Sequence, residues 1–132
     1  MTVDINQLNS LALAYIGDAI YELHVREHLI KTGQINPREL QKRAVKFVSA
    51  NGQSAIMDYF QEQQLFLSDE LSVVRRGRNA KSKTIPKNTS IQSYRQSTAF
   101  EALLGYHYLK GNKKRINDII SEAIHFIEQN NY

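Results

Sequence analysis

The feature that most limits the folds open to this chain is the spacing of its apolar residues, which recur three and four positions apart in every segment able to bury a face. Leu8, Leu11, Ala12, Tyr15, Ile16, Ala19, Ile20 and Leu23 follow that rule, the signature of a helix with one broad apolar stripe. The spacing returns at Leu40, Ala44, Val45 and Val48, at Ala55, Ile56, Tyr59 and Phe60, and at Ala99, Phe100, Leu103, Leu104 and His107. It closes the chain at Ile116, Ile119, Ile120, Ala123, Ile124 and Ile127. The β-branched residues are scattered or helically spaced, so no strand or hairpin is predicted. The expected fold is all-α. With 132 residues, 42% of them hydrophobic and 23% charged, the chain can bury one core, and a single helical domain over residues 1–132 is expected.

Polar residues punctuate the pattern. Asn6 or Asn9 can cap the first helix, which runs to about Ile30 before Thr32 and Gly33 end it. Asn36-Pro37-Arg38-Glu39 opens a second, with a good cap, a proline at the first helical position and a glutamate placed for a capping box. Ser49-Ala50-Asn51-Gly52 reads as a corner before a third helix ending near Gln64, and Ser68 caps a short helix through Leu71 and Val74. From Gly77 to about Ser90, glycine, asparagine, serine, threonine, proline and bases predict an exposed, mobile loop. Helix resumes over about Ser93 to Leu109 and stops at Gly111-Asn112.

The net charge is +4, which favours a polyanionic partner. Six of the 17 basic residues (Arg75, Arg76, Arg78, Lys81, Lys83 and Lys87) fall between positions 75 and 87 with none of the 13 acidic ones, so the positive charge is one local feature. That segment is either a solvated basic linker or a grip on phosphates, and Lys42, Arg43 and Lys46 of the second helix could face either solvent or phosphate. There is no cysteine, which removes disulfides, thiolate metal sites and a cysteine nucleophile together and fits a reducing cytoplasm. No signal peptide or membrane span is readable.

Chemistry concentrates on two helices. Gly17 interrupts the first helix at a cost of about 1 kcal/mol relative to alanine, and Asp18 follows it, with Glu22 one turn on at the border of the stripe. The glycine serves either close approach of another backbone or clearance for a ligand, and Asp18 could equally form a border salt bridge. On the later helix Glu101 shares its side with Gly105, in a stretch whose composition echoes the first helix. His24 and His28 are spaced as a metal pair, but no third ligand is evident, and His107 and His125 read as core-edge residues. Should the two apolar faces pack together, Asp18 and Glu101 would meet at the rim of the helix pair. Two carboxylates suffice for Mg²⁺, which keeps several waters and takes substrate phosphates as further ligands. A basic loop beside such a site is the layout of a metal-dependent nuclease.

Tyr15-Ile16-Gly17-Asp18-Ala19-Ile20 resembles the signature helix of the ribonuclease III family, and Phe100-Glu101-Ala102-Leu103-Leu104-Gly105 resembles its second acidic motif. The segments Leu40 to Ala50 and Arg75 to Lys81, together with the lack of a double-stranded RNA-binding domain, narrow the likeness to the Mini-III ribonucleases. The resemblance implies an all-helical endonuclease domain that dimerises and cleaves both strands of double-stranded RNA with Mg²⁺, or Mn²⁺ as a substitute. It implies Asp18 and Glu101 as the catalytic and metal-binding positions and maturation of large-subunit ribosomal RNA precursor as the task, with ribosomal proteins as candidate helpers. Ala14 and Thr98 stand where full-length ribonuclease III enzymes carry two further acidic residues, which leaves Glu22 and Thr98 as candidates to act behind the pair. Tyr15 takes the place of the aromatic that inserts into the partner subunit. Arg75, Arg76, Arg78, Lys81, Lys83 and Lys87, with Lys42, Arg43 and Lys46, are the expected RNA-binding residues. The rival expectation is a non-catalytic RNA-binding protein with the same fold, for which two carboxylates facing a polyanion have little use.

Overall fold

The computed structural model describes residues 3–33, 35–81 and 84–130. Among them a short 3₁₀ turn, Ile5–Gln7, precedes six α-helices: α1 (Ser10–Lys31), α2 (Pro37–Val48), α3 (Ala50–Glu62), α4 (Ser68–Asn79), α5 (Ile91–Lys110) and α6 (Lys113–Asn130). No strand occurs among the described residues. The caps follow local chemistry: the side chains of Asn9, Asn36, Ser49 and Ser90 accept the first free N–H groups of α1, α2, α3 and α5. Gly111 ends α5 in the left-handed region, φ 78°, the conformation that favours glycine.

The bundle is built around α5. This helix packs on α1, α3, α4 and α6, and α2 closes against α1, α3 and α6. Every position of α5 from Gln96 to Phe100 and from Ala102 to His107 is buried, far more than one stripe of a surface helix would bury. A helix enclosed on all sides is the core of its domain. Tyr21, Ile56, Phe60, Phe100, Leu103 and Ile119 fill the main cluster around it, and Tyr21 meets Phe100 edge to face with ring centres 4.9 Å apart.

The closest helix contact is made by glycine. A Cβ placed on Gly17 of α1 would overlap the Glu101 carbonyl oxygen, and one placed on Gly105 of α5 would overlap the Leu13 carbonyl oxygen. Of the two explanations for Gly17, backbone approach is therefore sufficient. Any side chain at either position would force α1 and α5 apart.

Several expectations are corrected. The stripe on α1 is not the one read from Leu8 to Leu23: Leu13, Ala14, Gly17, Ile20, Tyr21, Val25 and Leu29 are buried, while Tyr15 and Leu23 are 86% and 66% exposed. The helix is apolar on two sides, and spacing alone cannot say which one α5 covers. The basic connection starts later than its composition predicts, because α4 continues through Asn79 with Gly77 set against Ala99, leaving 80–81 and 84–90 as its described residues. The corner near residue 50 is a single residue, Ser49, which ends α2 and caps α3. On α2, Ala44 and Phe47 are buried whereas Val45 is half exposed. Of the histidines, His107 is fully enclosed and His125 is exposed.

Candidate active site

The glycine contact sets the site. Asp18 follows Gly17 on α1, and Glu101 carries the very carbonyl that Gly17 lies against, so the closest approach of the two backbones is also where the two carboxylates meet. Asp18 is exposed and Glu101 partly buried. Burial raises the Glu101 carboxyl to about 8, and the Asp18 carboxylate, which lies within hydrogen-bonding reach, and the more distant Glu22 push the same way. A hydrogen bond from Gln53 opposes them: its Nε2 donates to Glu101 Oε2 at 3.1 Å. Two carboxylates that repel each other at the edge of an apolar interior form a site for positive charge.

Among the described residues no group of three or more His, Cys, Asp or Glu side chains gathers to hold a metal. The donor set is thus a carboxylate pair. That set fits a hard divalent cation that retains most of its water and takes phosphate oxygens from a substrate. Gln53 adds an observation that supports the fit: it is 1% exposed, and its Oε1 is the one buried side-chain polar atom among the described residues without a hydrogen-bond partner.

Glu22 pairs with Arg26 at 3.3 Å and remains close enough to act on Glu101 electrostatically. Thr98 is buried one turn before Glu101, and its hydroxyl donates to the Tyr94 carbonyl at 3.0 Å, so it braces its own helix. His24 Nδ1 lies 2.9 Å from the Ile20 carbonyl and His28 Nε2 2.8 Å from Glu128, partners that account for both rings.

The basic residues separate into groups. Arg76 and Lys81 line a hollow with Leu8, Ser10 and Leu11 at the start of α1, about two turns from Asp18. Arg75 and Lys87 are exposed. Arg43 and Lys46 line a hollow with Leu29 and Thr32, about 16 Å along α1 from Asp18, and Lys42 is exposed nearby on α2. Arg78 is already engaged: its Nε donates to Gln96 Oε1 at 2.7 Å, and Gln96 Nε2 donates to Asp58 Oδ1 at 3.0 Å. Lys83 lies outside the described residues.

Gln53 and Glu70 are buried polar groups that the sequence reading did not single out, although one signal marks both. Gln53, Ile56, Met57 and Phe60 share one apolar stripe, as do Glu70, Val73, Val74 and Gly77, so each polar residue occupies a slot that periodicity assigns to the core. Glu70 is fully enclosed. Arg115 Nε and a terminal guanidinium nitrogen reach its two oxygens at 2.7 Å each, His107 Nε2 lies 2.6 Å away, and the Leu67 N–H donates at 2.7 Å.

This all-helical bundle with an acidic pair between its two closest helices has the architecture of a nuclease domain, and residues 11–112 match the Ribonuclease III domain family. The chain belongs to that family and is an endoribonuclease. Its relatives include the Mini-ribonuclease 3 of Enterococcus faecalis, 41% identical over 97% of both chains. The Mini-ribonuclease 3 of Brevibacillus brevis is 44% identical over 97% of this chain and 94% of its own. A crystal structure of a protein from Fusobacterium nucleatum superimposes with a TM-score of 0.81 at 31% identity, covering 94% of this chain and 98% of that one. The family is generally dependent on divalent metal.

Proposed function

We propose that this endoribonuclease cleaves double-stranded RNA as a homodimer in the cytoplasm, uses Mg²⁺ with Mn²⁺ as a substitute, and matures the precursor of large-subunit ribosomal RNA. The observation that carries the reading is the meeting of Asp18 and Glu101 at the glycine contact. The Mini-ribonuclease 3 names of the relatives agree with it.

Asp18 and Glu101 would hold the cation. When bound, the cation would supply charge neutralisation on the phosphodiester and a lowered pKa of coordinated water. Asp18, on the exposed side, faces the substrate. Glu101, raised by burial and by Asp18, carries a proton at neutral pH without the cation and gives it up on binding, so binding strengthens as pH rises through about 8. Rigid helices hold both groups, and the glycine contact fixes their separation.

Leu11, Tyr15 and Leu23 form an uncovered apolar face on α1 beside the carboxylates. A second copy docked there would bury it and bring two sites to one duplex, one for each strand. Tyr15 would then anchor the interface. Arg75, Arg76, Lys81, Lys83 and Lys87, with Lys42, Arg43 and Lys46, would contact phosphates of an A-form duplex recognised mainly by shape.

Incubating purified protein with Mg²⁺ and end-labelled duplex or single-stranded RNA tests the reading. Cuts in both strands of the duplex and none in the single strand are expected, together with a sedimenting dimer that Tyr15→Asp converts to monomer. Equal cutting of single strands would refute the substrate class.

A further inference from the structure

Gln53 sits in the first turns of α3, and its enclosure makes each of its polar atoms accountable. Nε2 donates to the Val48 carbonyl at 3.0 Å and to Glu101 Oε2 at 3.1 Å, which uses both of its protons. The Val48 carbonyl can only accept, so turning the amide over would set Oε1 against it, and this contact fixes the orientation. Oε1 is therefore fixed, enclosed and unpartnered. An enclosed carbonyl left without a donor would cost about 1–3 kcal/mol, so Oε1 calls for a donor that no described residue supplies.

Amide geometry limits where Oε1 can be. It lies about 2.3 Å from its own Nε2 and so no more than about 5.4 Å from the Glu101 carboxylate oxygen. One water closes a gap of that size with two O–H···O bonds. Water or metal-coordinated water is the donor whose chemistry suits both an amide oxygen and a carboxylate.

We propose that Gln53 is a positioning residue of the nuclease centre, whose Nε2 orients the Glu101 carboxylate while its Oε1 accepts a hydrogen bond from water in the hydration shell of the divalent cation. The proposal rests on the cation site read above and adds a third, uncharged contributor to a site that has only two carboxylates. Groups that act through the hydration shell or through a ligand usually change metal affinity about 10- to 100-fold when removed. An amide suits this position better than a third carboxylate, since it can donate to Glu101 and accept from water without adding to the repulsion at the pair.

The test is binding of Mn²⁺ to RNA-free protein, read by electron paramagnetic resonance of free Mn²⁺, for wild type, Gln53→Met and Asp18→Asn. Methionine matches glutamine in length and removes donor and acceptor together. Mn²⁺ binding by Gln53→Met is expected to be at least about tenfold weaker than wild type, with the helical circular dichroism retained. Wild-type affinity in that variant overturns the role of Gln53 while leaving the cation site standing. Absence of Mn²⁺ binding to wild type, or equal binding by Asp18→Asn, overturns the cation site and this proposal with it. A crystal structure of the wild-type protein with Mg²⁺ and duplex RNA decides the matter independently of how any variant folds. Coordinated water within hydrogen-bond distance of Gln53 Oε1 supports the role, and a hydration shell that leaves Oε1 untouched overturns it.

Discussion

Glu70 and Glu101 are carboxylates set into the same bundle, one on α4 and the other on α5, and their surroundings drive them in opposite directions. Burial would raise Glu70, but the Arg115 guanidinium, the His107 imidazole and the Leu67 N–H together outweigh it and hold the carboxyl down at about 2. Around Glu101 burial also acts upward, and the Asp18 and Glu22 carboxylates push the same way, so the carboxyl is pushed to about 8 against the single opposing Gln53 hydrogen bond. Glu70 is a closed knot that ties α4, α5 and α6 together. Glu101 is held at a disadvantage that a cation would remove. The comparison teaches how to separate structure from function among buried acids: satisfied charge points to architecture, and charge left unbalanced points to a ligand.

The comparison is most easily broken at Glu70. Removing one partner from an enclosed ion pair strands the other, at about 3–5 kcal/mol, so Glu70→Ala is expected to lower the stability read from urea unfolding by that much. The fall from 4.5 to about 2 corresponds to about 3 kcal/mol by linkage, in agreement. A loss below about 1 kcal/mol would show that the knot is not structural.

At Glu101 the opposite sign is expected. Glu101→Gln should stabilise the cation-free protein at pH 8 by about 1–2 kcal/mol and change little at pH 4, as read from thermal midpoints. Destabilisation at pH 8 would contradict the imbalance.

The pH dependence of wild type sharpens both halves. Glu101 is raised on folding, so the cation-free folded protein keeps a proton that the unfolded chain has lost between about pH 4.5 and 8, and its stability falls across that window. Glu70 is lowered, so its contribution is complete above about pH 4.5 and fades as pH falls toward 2. Stability measured in EDTA should therefore be highest near pH 4–5, and the decline toward pH 8 should vanish in Glu101→Gln.

The smallest effect concerns the bases. Removing a side chain that holds one phosphate should flatten the dependence of log affinity on log salt by roughly 0.9, the slope per neutralised phosphate of a duplex. Arg76→Ala and Lys81→Ala are expected to do this in filter-binding titrations of duplex RNA. Arg78→Ala, which breaks the links to Gln96 and Asp58, should instead act mainly on stability. An unchanged slope in Arg76→Ala and Lys81→Ala would remove that end of α4 from the RNA contact.

Much of this was legible in the residues. The caps at Asn9 and Asn36, the stop at Gly111 and the isoleucine stripe of α6 are local chemistry, and local chemistry can be read in order along a chain, although Ser68, read as a cap, stands inside α4 behind Leu67. The Gly17–Asp18 and Glu101–Gly105 pairs were legible as a candidate site because glycine inside a helix needs a reason and an acid on its side suggests one, and the structure brings the two pairs together. What spacing could not supply was the choice between the two apolar sides of α1, since both Tyr15 and Leu13 are apolar and only the position of α5 separates them. Nor could turn composition show that Gly77 and Arg78 are helical, because Gly77 is held in α4 by Ala99 across the interface. Gln53 and Glu70 stood in apolar slots, yet their partners lie 48 and 45 residues away at Glu101 and Arg115. Periodicity marks such residues as anomalous without naming what they bind.

The central claim is that Asp18 and Glu101 together are the catalytic centre, and single-turnover cleavage of end-labelled duplex RNA by Glu101→Gln in Mg²⁺ tests it most directly. With RNA binding verified by filter retention, the variant is expected to cut at least about a thousand-fold more slowly than wild type, equivalent to about 4 kcal/mol of transition-state stabilisation. Cleavage within about tenfold of wild type would contradict the claim.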